Sequence, residues 1–119
     1  MSKVVVWAVF ILGAAHILFG VVRFQAPLLA ALMDGFIGQF AVPEIRRTAF
    51  WFVMVGPLMM LVGHLAIHAV SVGDLKVLKV IGAYMLIFSA VGVAAFPASP
   101  LWAPLLLSLL LIAVGYRLI

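Results

Sequence analysis

Cysteine is absent from the 119 residues, which excludes a disulfide framework, a thiolate metal cluster and a cysteine nucleophile, and leaves the redox compartment unmarked. Charge is scarce as well: 8% of residues are charged, against about a quarter in ordinary soluble domains. The only acidic side chains, Asp34, Glu44 and Asp74, fall between apolar runs, so no carboxylate stands mid-run to couple a proton to transport. For the same reason no histidine base can be oriented beside Ser89 or Ser108. Both hydroxyls are expected to bond their own helix or a neighbour, and no catalytic triad is available. Nor is there a glycine-rich phosphate loop. The expected class is therefore non-enzymatic.

The formal net charge is +4, yet the cations sit singly or in pairs at the ends of apolar runs, with no basic stripe interleaved with aromatics. That pattern argues against a nucleic-acid partner and for side chains that snorkel to headgroups and attract anionic lipid. Met54, Met59, Met60 and Met85 are read as gap-fillers rather than copper ligands.

What the chain has in abundance is hydrocarbon: 69% of its residues are hydrophobic. Four runs, about 4–22, 48–70, 78–96 and 101–118, each approach the roughly 20 residues that span a bilayer. A soluble core of this size could not hide them all. The expected fold is all-α: an integral membrane four-helix bundle, antiparallel up-down, with residues 1–119 forming a single transmembrane domain and the lipid bilayer as its first partner. Lys3 before the first run, and Gly13-Ala14-Ala15 within it, loosely suggest a cleavable signal; because the apolar stretch continues past them, a retained helix is expected.

The connection between the first two helices, Arg23 to Arg47, is itself apolar through Pro27–Met33. Irregular backbone cannot lie against lipid, so a short interfacial helix is expected there. Pro43 and Glu44 suit the start of the second helix. Arg46 and Arg47, followed by Phe50, Trp51 and Phe52, read as interface anchors. Ser71, Gly73 and Asp74 form a polar turn, and Pro97-Ala98-Ser99-Pro100 a tight hairpin. With four crossings, Lys3, Lys76, Lys79 and Arg117 share one side against Arg23, Arg46 and Arg47 opposite, which favours cytoplasmic termini.

Gly13 and Gly20 lie seven apart on the first helix, as do Gly56 and Gly63 on the second, so each helix carries a small-residue stripe suited to close packing. From the helix ends, Gly13 is expected level with Gly63 and Gly20 with Gly56. His16 lies on the first of these stripes and is the leading candidate for a ligand contact. Arg23, two turns further along, could join Glu44, Arg46 and Arg47 in a polar lining beneath the long connection. The plainer alternatives are a histidine that only fixes packing and a solvated cluster of anchors.

His64 and His68 share one helix face at a spacing that can hold one metal ion. His16 and His64 are also the conceivable pair for axial ligation of a haem. The estimated depth differences, about 9 Å for His16–His64 and about 15 Å for His16–His68, count against both uses of His16. A transition metal or haem is thus the second expectation. The first is a small hydrophobic or lipid-like molecule held or passed near His16 by a homo-oligomer. An accessory subunit of a larger membrane complex is the third.

Gly13-Ala14-Ala15-His16 with Gly20, Ala49-Phe50-Trp51-Phe52 with Gly56 and Gly63, and then Gly82, Gly92, Pro97, Ser99 and Trp102 form a recognisable pattern. In these motifs the chain resembles a family of small bacterial four-helix membrane proteins catalogued as a domain of unknown function. The resemblance implies a fold spanning nearly the whole chain, a bacterial inner-membrane location and no particular activity. It matches His16 and supplies no counterpart of His64 or His68. Small multidrug transporters share the length and helix count, but their first helix carries a membrane-embedded glutamate where this chain has His16.

Overall fold

A computed structural model describes residues 1–119. The chain is all-α, with helices α1 (Ser2–Arg23), α2 (Gln25–Met33), α3 (Glu44–Val72), α4 (Leu75–Ala95) and α5 (Trp102–Gly115) and no strand. α1, α3 and α4 are each long and apolar enough to cross a membrane. α5 has 14 residues, about 21 Å of helix, and is apolar but shorter than the hydrocarbon layer. The short helix expected in the long connection is α2. Large apolar side chains such as Ile11, Leu18, Phe19, Leu58, Leu61, Ile87, Val91 and Leu106 are exposed.

Helix ends follow backbone hydrogen bonding rather than hydropathy. α3 begins at Glu44, where Pro43 and Glu44 suit a helix start, and not at Thr48, where the apolar run begins: the Pro43 carbonyl accepts from Arg46 N at 3.0 Å and carries the helix through the two arginines. Pro43 therefore precedes the first turn instead of lying in it. At the other end, Gly73 takes φ 73, and Asp74 N turns back to the Ala69 carbonyl at 2.8 Å, a glycine-terminated stop. Asp74 then caps α4 by accepting from Val77 N at 3.1 Å. α5 stops at Gly115 rather than Leu118: Arg117 takes the left-handed conformation, φ 59, and Leu118 N reaches the Ala113 carbonyl at 2.8 Å.

The chain forms two compact units, Ile11–Leu61 and Met1–Phe10 with Val62–Ile119. In the first, α1 and α3 run antiparallel at backbone contact. A Cβ on Gly13 would lie 2.6 Å from Met60 N and 2.8 Å from Gly56 O, and one on Gly20 would lie 2.8 Å from Phe52 Cδ1. In the second, a Cβ on Gly63 would lie 2.5 Å from Phe10 N and Cα. The levels differ by about one turn from those expected. Gly13 faces Gly56 and Met60, and Gly20 faces Phe52 and Val53, because α3 starts earlier than its apolar run.

α4 and α5 form an antiparallel hairpin in the second unit. Gly82 meets Ile112 and Ser108, Gly92 meets Leu101, and Gly115 meets Lys79 and Leu75. Pro104 falls in the first turn of α5, where the N–H it lacks would have no partner. Trp102 Nε1 donates to the Pro97 carbonyl at 2.9 Å and closes the turn. The buried hydroxyls of Ser89 and Ser108 donate to their own helices, to Met85 O and Leu105 O, each at 2.6 Å.

Candidate functional site

The first unit holds one buried polar atom with no partner: Nε2 of His16. Helical spacing puts His16 between Gly13 and Gly20, and the close approach those glycines allow brings α3 against its ring. The imidazole stacks on Phe52, with ring centroids 4.1 Å apart and planes 20° from parallel. Phe52 also touches Phe19 and Phe24, at centroid distances of 5.8 Å and 5.3 Å. The result is an aromatic cluster around one imidazole, whose partly exposed ring turns a nitrogen into apolar surroundings. A neutral imidazole nitrogen is a donor or an acceptor according to tautomer, and leaving it unpaired costs about 1–3 kcal/mol. Chemically the arrangement suits one hydrogen bond to a molecule that is otherwise apolar.

The remaining candidates in this unit do not gather around His16. Arg23 ends α1, exposed, with its guanidinium 5.9 Å from the Phe24 ring centroid. Glu44 is exposed in the first turn of α3. Arg46 instead binds the loop that follows α2. It forms an ion pair with Asp34 at 2.8 Å and lies 3.4 Å from both the carbonyl and the side-chain oxygen of Gln39. Arg47 donates to the Ala41 carbonyl at 3.1 Å. These two arginines fasten the segment between α2 and α3, and nothing in the spacing of the sequence singles out Asp34 or Gln39 for that contact.

Phe52 belongs in the sequence to an aromatic group expected at the interface, and its stacking on His16 has no signal in the spacing of either helix alone. In the second unit, His64 and His68 both lie on the exposed face of α3. No three His, Asp or Glu side chains in the chain come together as a set able to hold a metal ion.

No curated protein and no solved structure matches the chain. One family model matches residues 1–117, essentially the whole of it. The chain belongs to that family, described as "Family of unknown function (DUF6463)".

Proposed function

We propose that this is a four-crossing membrane protein, α5 completing an antiparallel up-down bundle, that holds a small, mostly apolar molecule by one hydrogen bond to His16. The unpartnered Nε2 carries the reading: a polar atom in an apolar site is expected to find a partner, and none of the protein's own groups provides one. The ring beside it is aromatic rather than aliphatic, and Phe19 on its margin is exposed, so a ligand can enter from the lipid side if the Phe19 and Phe52 rings turn. A long-chain alcohol or ketone has the matching chemistry. On this view the protein binds or passes a lipid-like molecule, with Arg46 and Arg47 steadying the loop near the headgroups.

The test is photolabelling of the purified chain in lipid nanodiscs with a photoreactive long-chain alcohol and with the corresponding hydrocarbon. The alcohol is expected to label peptides from 12–24 and 49–56 at least about threefold more than the hydrocarbon, one hydrogen bond contributing roughly 0.5–1.5 kcal/mol. His16→Phe should abolish that preference. Equal labelling by both probes in the wild-type chain would rule the reading out.

A further inference from the structure

His64 and His68 are separated by one turn of α3, so both imidazoles rise from one face, and both are exposed. Neither ring is engaged. The one side-chain hydrogen bond at that turn, from Ser71 Oγ at 2.7 Å, goes to the His68 backbone carbonyl. Leu65 and Val72, also exposed, alternate with His68 at spacings of three and four, the spacing by which two helices interlock along a seam. Polar rings presented to lipid without a partner are costly, and nothing else in the chain relieves them.

Their depth permits ions to reach them. Arg46 and Arg47 mark headgroup level at the start of α3, and about 20 residues cross the hydrocarbon, which places His68 at the opposite boundary and His64 one turn inside. Two imidazoles at this spacing on a helix chelate a single divalent ion, as in helical zinc sites. The chain supplies no third ligand, whereas a closed tetrahedral zinc site takes four. Copies inserted in the same sense are related by a two-fold axis along the membrane normal, and that operation keeps every residue at its own depth. The His64–His68 pair of one copy therefore meets the same pair of the next.

We infer that a zinc-type divalent cation is held between two copies of this chain by His64 and His68 of each, joining them along α3. This goes beyond the ligand reading at His16 and does not depend on it. The experiment uses the full chain without a histidine tag, stripped with chelator in a non-ionic detergent and titrated with zinc chloride. Bound zinc is measured after dialysis, and protein mass by light scattering.

One zinc per two chains is expected, with the protein mass doubling as zinc binds. His64→Ala and His68→Ala should each weaken binding at least about tenfold, since losing a ligand costs no less than losing its supporting shell. Both positions are exposed, so the variants should retain wild-type helicity by circular dichroism. His16→Phe should bind zinc as the wild type does. No saturable zinc, one zinc per monomeric chain, or undiminished binding in both alanine variants would each overturn the inference.

Discussion

At His16 the structure sets an aromatic stack against an unpaired nitrogen, and the balance between them can be measured. Phenylalanine at this position keeps a ring on Phe52 and removes the nitrogen, so His16→Phe should raise stability by about 1 kcal/mol, the lower end of the cost of an unsatisfied buried polar group. Unfolding in mixed micelles titrated with dodecyl sulfate reads this directly, and a loss of similar size would mean that Nε2 is paired in the folded protein. Gly56 makes the opposite case. A Cβ there would collide with Ile17 and lie 2.9 Å from the Gly13 carbonyl, so Gly56→Ala should cost about 1–3 kcal/mol through overpacking. Gly92→Ala meets only side-chain atoms of Leu101, which can rotate away, and should cost less in the same assay. The sequence marked Gly56 and His16 as members of stripes. It could not mark Phe52 as the stacking partner, because that contact depends on the register between α1 and α3, which a shift in one helix end alters by a turn.

Among the elements, the connection from α2 to α3 is held by the Phe40 ring, which packs on Phe36 and Phe50, and by polar contacts from the first turn of α3. Ile37 and Val42 are exposed, Gly35 and Gly38 take φ 104 and 74, and Arg46 reaches back to Asp34 and Gln39. The Arg46 side chain is 14% exposed and that of Asp34 55%, so solvent screens the pair and its net contribution to global stability is about 1 kcal/mol or less. The effect of Arg46→Ala should therefore be local. Amide hydrogen exchange over residues 34–42 is expected to accelerate at least about threefold, following roughly 0.5–1 kcal/mol of lost local protection, while α4 exchanges as before; unchanged exchange in the loop would show that the arginine does not hold it. Element existence was legible from apolar runs and from proline and glycine punctuation. Element ends were legible only in part: Pro43 and Glu44 mark the start of α3 at Glu44 where the apolar run alone points to Thr48, whereas α5 ends at Gly115, just before a left-handed Arg117 that composition gave no reason to single out.

For the whole molecule, the proposed topology turns on α5. Its 14 helical residues make about 21 Å, so a crossing requires the Pro97–Leu101 turn and the Tyr116–Ile119 tail to complete the path, or the bilayer to thin locally around it. The Trp102–Pro97 hydrogen bond, the exposed Trp102 and Tyr116, and Lys79 held 4.4 Å from the Tyr116 ring centroid place amphipathic side chains at both ends of the helix. Such residues settle at the two membrane interfaces. The lack of native cysteine makes the test direct: single substitutions Ser2→Cys, Ile37→Cys, Lys76→Cys, Ala98→Cys and Ile119→Cys, labelled in sealed vesicles with an impermeant maleimide. Four crossings put positions 2, 76 and 119 on one side and 37 and 98 on the other. If α5 instead folds back within one leaflet, positions 98 and 119 label from the same side. The Lys and Arg distribution adds an orientation, because Lys3, Lys76, Lys79 and Arg117 lie with the termini in the four-crossing topology and outnumber Arg23, Arg46 and Arg47 by one. With an excess that small, replacing Lys76 and Lys79 by glutamine should give a mixed population of orientations, seen as partial labelling at positions 2 and 37 from both sides. An unchanged single orientation in that variant would mean that loop charge does not set how this chain inserts.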